Sequence, residues 1–373
     1  MTTPSLPQYM LTYPTVFAVG DQYQIFVPFS DEVIMWVKVG EQVYYDHCNG
    51  VLRSRTNMHR VTLPMSVLDK AKEYTVCYRK MINRAPYFPT SEDERTLTLP
   101  FKPVKAEGKI NLYHISDAHN LVAEPVAAGQ FFGDALDLLV LNGDIPNHSG
   151  DVRNFNAICE IASGITRGQL PCAFARGNHD TRGIHAEDMP DYIPIKNGLT
   201  YYTFRAGCVW GLLMDCGEDK PDSCAEYGHT ICFHEFRLEE TEYLKSVIAN
   251  ADKEYNAPGV QYRLIISHIG FTHVQQHPFD IEQELYCEWT QLVTEMQPDL
   301  LLYGHHHTVR ICPPGCDFDD WGQPCTAIIG SKPIFSAEGN GFIGCGITLR
   351  PDGTKRVVFN DDKGNILTDE LIG

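Results

Sequence analysis

The sequence predicts an α/β protein in two parts: a β-sandwich flanked by helices (α+β in the broad sense), preceded by a smaller all-β unit of the immunoglobulin or fibronectin type. Short β-type runs crowd residues 11–99 with no helical segment between them, and a proline-rich, charged linker follows near residue 104. Beyond it, apolar runs alternate with stretches of helical periodicity. With 373 residues and 43% hydrophobic content, the chain is long enough for two or three packed domains.

In chain order, the first part offers the runs Thr15 to Val19, Tyr23 to Phe29, Val33 to Val39, Gln42 to Asp46, Arg60 to Leu63 and Tyr74 to Met81. Turn signals such as Gly20-Asp21, Gly40-Glu41 and Asn49-Gly50 separate them, which leaves no room for crossover helices and predicts a sandwich over residues 1–104. Pro100, Pro103 and the charged stretch Lys105 to Lys109 lead into a second unit, residues 105–373. There, helical spacing appears in 151–163 (Val152, Phe155, Ile158, Ala162), in Leu238, Leu244, Val247 and Ile248, and in Leu285, Trp289, Leu292 and Met296. From Ala327 to Phe359 the pattern returns to strands with glycine-rich turns, as a second sheet would. Loops 183–205, 216–236 and 270–283 are left to shape a pocket.

Five apolar runs of the second unit end in polar clusters. Ile110 to Ile115 leads to Asp117-Ala118-His119, Leu136 to Leu141 to Gly143-Asp144, and Leu170 to Ala175 to Gly177-Asn178-His179-Asp180. Leu264 to Ile266 leads to Ser267-His268, and Leu300 to Tyr303 to Gly304-His305-His306-His307. An isolated pair of this kind reads as a helix cap or a turn; five in this order point to one site, because ligands gather beyond the carboxyl ends of strands in an open α/β sheet. The set offers two carboxylates (Asp117, Asp144), the Asn178 carbonyl and four imidazoles (His119, His268, His305, His307), with no thiolate. This mixture suits divalent Mn, Fe, Zn, Co or Ni, and is too rich in nitrogen for Ca or Mg alone. Seven ligands exceed the needs of one ion; with one Asp bridging, they divide into two sets of four and leave positions open for water and substrate. Two such ions roughly 3.5–4 Å apart lower the pKa of a bridging water and neutralise a phosphoryl group.

The order DxH, GD, GNHD, SH and GHxH resembles the calcineurin-like metallophosphoesterase family over roughly residues 108 to 349. That resemblance implies a binuclear hydrolase of phosphate esters, with a metal-bridging hydroxide attacking phosphorus in line. Asp117, His119, Asp144 and His307 would hold one metal; Asp144 as bridge, with Asn178, His268 and His305, would hold the other. His179 matches the family's non-ligand histidine, the catalytic group facing the phosphoryl and the leaving oxygen, and His306 fills the variable place in GHxH. The β-sandwich ahead of the hydrolase also resembles the layout of large purple acid phosphatases. Their metal-bound Tyr, three residues after the GD aspartate, is replaced here by Asn147, and the His of DxH that they lack is present as His119. The Asp that calcineurin-type phosphatases carry at that same place is also absent. The pattern therefore leans toward phosphodiesterase-like branches, with a phosphomonoester as the other substrate class.

Asn147 and Arg182 are the candidate substrate contacts, Arg182 because its guanidinium could fork a phosphate. Asp180 reads as a turn cap and Asp215 as a loop anchor; His148, His185, His229, His234 and His273 read as structural or peripheral. The net charge of −18 argues against nucleic acid as a general partner. It leaves room for a small phosphorylated substrate, since bound cations set the local field. No apolar stretch reaches 18 residues, and Met1 to Ser5 has no basic region followed by an apolar run, so neither a membrane span nor a signal peptide is expected. Thirteen cysteines, odd in number and irregular in spacing, fit a reduced, cytoplasmic setting; Cys312, Cys316 and Cys325 leave a disulfide or a structural zinc open. The sequence bears on neither the oligomeric state nor the substrate's identity. The alternative reading, a catalytically weak scaffold on the same fold, would be marked by missing ligands, and none is missing. A third makes the N-terminal sandwich a docking module.

Overall fold

The structure is a computed structural model and describes residues 4–373. The N-terminal runs form strands close to where the sequence places them. Thr15–Val19, Gln22–Pro28 and Met58–Pro64 pair antiparallel in one sheet. Arg95–Pro100, Glu73–Asn83, Val33–Val39 and Gln42–Tyr45 lie side by side in another. Val33–Val39 shows the physical basis: Val33, Met35, Val37 and Val39 are buried while the residues between them are half-buried, the period of two of a strand with one face on a core. Five elements of this part escaped the sequence pattern, three of them strands of only two residues (His47–Cys48, Val51–Leu52 and Thr90–Ser91). Arg95–Pro100 buries only Leu97 and Leu99, too short an alternation to stand out beside the proline linker. The helix Met65–Ala71 is seven residues long and stops at Lys72, which adopts a left-handed φ of 56°.

The backbone ladder crosses the pattern change at residue 104. Thr15–Val19 runs parallel to Pro171–Ala175, with Val16 opposite Pro171 and Phe17 opposite Cys172. The Phe17 ring sits edge-on to Phe26 at 5.5 Å and to Phe174 at 6.2 Å, so one aromatic cluster joins both parts. The larger sheet then continues through Leu138–Asn142 to Ile110–Ile115, all parallel. On the far side of Ile110–Ile115 lie Gly341–Leu349, Lys355–Asp361 and Ile366–Ile372, each antiparallel to its neighbour. The C-terminal strands are therefore not a separate sheet, as their sequence pattern suggests. They complete the sheet that carries the first motif, because an antiparallel neighbour caps its open edge.

A second half-sheet holds Tyr202–Ala206, Val209–Met214, Tyr262–Ser267 and Leu300–Tyr303. All of Tyr202–Ala206 but its last residue falls within the stretch 183–205 that the sequence assigns to a loop; its tight turn at Gly207, φ 55°, returns it directly onto Val209–Met214. The strand Ala327–Ile334 links the halves. Its first residues pair with Leu301, Leu302 and Tyr303, its last with Gly341, Phe342 and Ile343. Helices Asn156–Thr166, Phe233–Ala249 and Gln283–Met296 form where the apolar spacing predicts them. Ala123–Gly129 spans under two turns, too few for periodicity to reveal. Among the described residues, no helix is long and apolar enough to cross a membrane.

The seam at Phe17 gives a stability test. Truncation to Phe17→Ala should cost about 3–5 kcal/mol, as for other buried aromatics. Denaturant unfolding followed by fluorescence and by metal release should show both probes shifting together. A shift confined to one probe would mean that the two parts fold independently.

Candidate metal centre

All five motif strands end at the same edge, three from one half-sheet and two from the other. Their loops are wound tightly. Asp117, His119, Asp144, His305 and His307 all have φ between 46° and 68°, the left-handed region that Asp, Asn and His enter more readily than other side-chain-bearing residues. The motif glycines make this packing possible. A Cβ on Gly177 would lie 2.3 Å from Asp144 Oδ1 and 2.4 Å from the Asp144 nitrogen. One on Gly143 would lie 2.6 Å from Gly177 Cα, so these two loops touch backbone to backbone. The halves are also stitched by Asn142, whose amide donates to the carbonyls of Ser267 and Leu302, each at 3.1 Å.

Backbone donors fix the carboxylates. The His179 N–H donates to Asp144 Oδ1 at 2.8 Å, which leaves Oδ2 facing His268 Nε2 at 3.2 Å, with His119 Nε2 and His179 Nε2 each at 4.0 Å. The Asp117 carboxylate accepts from the His305 N–H and from the Ser116 hydroxyl. Its Oδ1 stands 3.5 Å from His307 Nε2 and 3.8 Å from His268 Nε2. Elsewhere ligand atoms face one another: His119 Nε2 and His307 Nε2 at 2.9 Å, His305 Nδ1 and Asn178 Oδ1 at 3.1 Å. Converging acceptors are what a cation would reconcile. Turning the Asn178 amide over would let its nitrogen donate to His305 and Asp144, but only the first orientation presents an oxygen to the cluster. The groups close enough to hold a metal are Asp117 with His119 and His307, Asp144 with His268 and His305, and His119 with Asp144 and His179. The donor set thus fits two N/O-bound ions.

Burial and charge shape the protonation states. Burial pulls His119 down to about 4 and His305 well below the ordinary imidazole value, and it lowers His307, so these rings are neutral and ready to ligate. Burial also works against a charged His268, but Asp144 and Asp117 outweigh it and raise the ring to about 10. Burial pushes the Asp117 carboxyl up to about 7; Asp144, also buried, is held below the usual carboxylate range by His268.

At the mouth, His179 has a side chain 31% exposed, and its Nδ1 meets the backbone carbonyl of Asn147 at 2.9 Å. Position 147 thus serves His179 through its main chain, whichever side chain it carries. Arg182 lies beside it, NH1 at 3.4 Å from His179 Nε2, but the guanidinium fork expected for phosphate is already taken: Nε and NH2 each reach Glu218 at 2.7 Å. Asp180 is buried and accepts from the Gly177 N–H at 2.7 Å, a turn anchor. Asp215 accepts from the Gly217 N–H and faces Arg176 Nε at 2.7 Å. His185, His234 and His273 pair with Asp188, Glu282 and Asp320 outside the cluster. His306 stacks edge-on against Phe318. Cys312, Cys316 and Cys325 are free thiols and belong to none of the metal-competent groups among the described residues.

The sequence pattern singles out neither Asn142 nor, within the pocket-shaping loop 216–236, Glu218 and Asp219. The loop is held from beneath by Arg237, 1% exposed, which donates to the carbonyls of Cys216 and Glu218. No local pattern marks Asn142, Glu218 or Arg237, whose side chains reach partners 19 or more positions away.

A family model described as calcineurin-like phosphoesterase matches residues 110–309. No curated protein matches the chain. Among solved structures, the purple acid phosphatase PPD1 from yellow lupin (Lupinus luteus) seeds is similar with a TM-score of 0.61 and 13% identity, covering 98% of this chain and 75% of that one. PhoD is similar with a TM-score of 0.56 and 10% identity, covering 98% and 94%. At these identities the two structures establish the fold.

The charge pattern makes metal binding proton-linked. At pH 7 the His268 ring, raised to about 10, is protonated, and a ligating imidazole must be neutral. Loading divalent ions near neutral pH should therefore release on the order of one proton, and affinity should rise as pH climbs toward the His268 value. Calorimetric titration in buffers of different ionisation enthalpy counts that proton; none released at pH 7 would contradict the charge assignment.

Proposed function

Because this chain belongs to the calcineurin-like phosphoesterase family, and is with it a metal-dependent hydrolase of phosphoric ester bonds, we propose that it cleaves a small phosphodiester or phosphomonoester at two divalent transition-metal ions bridged by Asp144. Asp117, His119, Asp144 and His307 would hold one ion; Asp144, Asn178, His268 and His305 would hold the other. The observation that carries this is the position of Asp144 Oδ2, a buried oxygen with His268 Nε2 of one set at 3.2 Å and His119 Nε2 of the other at 4.0 Å. When bound, the ions would be Mn, Fe, Zn, Co or Ni, supplying Lewis acidity toward the phosphoryl oxygens and an activated water.

The chain's own groups do the rest. The Asn147 carbonyl accepts from the His179 Nδ1–H, which turns Nε2 toward the cluster, where it can carry a proton to the leaving oxygen. Arg182 NH1 places positive charge alongside. The Asn147 side chain lies exposed at the rim, where it can touch the ester group. We assign the ligand set to residues 105–373 and a shaping role to residues 1–104. Arg60 NH1 donates to the Pro190 carbonyl at 3.0 Å and Gln24 Nε2 to the Ile195 carbonyl at 2.7 Å, so the N-terminal strands brace the segment that follows the GNHD motif.

Metal analysis of the replete protein should give about two equivalents. Asp144→Ala should lose both, since the bridging carboxylate serves each ion; one equivalent or none in the wild type would refute the two-ion reading.

His179→Ala should keep its metals and fold while kcat falls about 10²–10⁴-fold. The fall should be smaller with a nitrophenyl leaving group, which needs less protonation. An equal loss across leaving groups would assign His179 to charge stabilisation instead.

A further inference from the structure

We infer that Asp219 is a positioning residue that orients His305 so that Nδ1, not Nε2, faces the metal centre. This rests on the two-ion reading above. His305 presents its two nitrogens to different surroundings. Nδ1 lies 3.1 Å from Asn178 Oδ1, inside the ligand set, and Nε2 lies 3.8 Å from Asp219 Oδ2 on the opposite side of the ring. A carboxylate accepts and never donates when ionised, so it selects the tautomer with hydrogen on Nε2 and leaves the Nδ1 lone pair free. With the ring neutral and the atoms 3.8 Å apart, the contact is neither an ion pair nor a made hydrogen bond, and the Nε2–H to Asp219 bond would close as the site fills.

Asp219 is held for this task. It is 6% exposed, and its other oxygen, Oδ1, takes the Tyr227 hydroxyl at 2.8 Å, Arg182 NH2 at 3.3 Å and Lys220 Nζ at 3.4 Å. Three donors on Oδ1 fix the plane of the carboxylate and aim Oδ2 at His305. Arg237 grips the same loop through the carbonyls of Cys216 and Glu218. Asp219 thus reaches the centre on a loop that contributes no ligand of its own, and it ties the His305 ring to Arg182, which stands beside His179.

The test is Zn²⁺ affinity of the full chain, measured by chelator competition. Asp219→Asn should weaken the second Zn²⁺ by about 10–100-fold and leave the first unchanged, and Asp219→Glu should restore part of the loss. The loss should be confined to the second Zn²⁺; an equal loss at both ions with a fall in thermal stability of the metal-free protein would mark a structural role and overturn the assignment. NMR of the Zn²⁺-loaded wild type gives a readout independent of any variant: His305 should be protonated on Nε2. Unchanged Zn²⁺ affinity in Asp219→Asn, or a His305 protonated on Nδ1, overturns the assignment. A wild type that binds fewer than two Zn²⁺ fails the two-ion reading instead.

Discussion

The carboxylate of Asp144, buried where the two half-sheets end, has one oxygen tied to the His179 backbone and the other aimed at three imidazoles. Much of the surrounding structure follows from keeping that oxygen in place. Gly143 and Gly177 must be glycines because their loops meet at backbone distance around the Asp144 main chain. The left-handed residues cost about 1–3 kcal/mol each and persist only where the surroundings over-determine them. Here those surroundings are a sheet locked by Asn142 and by the strand Ala327–Ile334. A carboxylate pair and four imidazoles at this spacing would be a poor way to stabilise a core without cations to share.

Much of the candidate site was readable in the sequence, because each candidate ligand closes an apolar run and the structure brings the run ends together. The residues that orient the ligands were not. Asn142 looks like the last polar residue of a strand, yet its side-chain amide stitches Ser267 to Leu302 while its backbone carbonyl accepts from the His268 Nδ1–H at 2.6 Å. Asp219 sits in a polar loop with nothing local to distinguish it from Asp222 or Glu226. Arg182 shows the converse: its neighbours along the chain suggest a free fork for phosphate, while Glu218, 36 residues later, occupies that fork. Partners set by tertiary contact leave no periodic trace.

The fold was legible to a similar depth. Strand and helix segments follow from side-chain period, whereas sheet membership depends on which edge is open. Pairing of Thr15–Val19 with Pro171–Ala175 is one such outcome, and placement of Gly341–Leu349 beside Ile110–Ile115 is another. Both enlarge the sheet that presents Asp117 and Asp144, so segments remote in sequence, including those before residue 104, stiffen the centre.

On the two-ion reading a single carboxylate, that of Asp144, would join both ions. Anomalous diffraction from Mn²⁺-loaded crystals addresses it most directly. Two peaks about 3.5–4 Å apart, one on each side of the Asp144 carboxylate, are the expected result. A single peak, or two peaks too far apart to share Asp144, would contradict it.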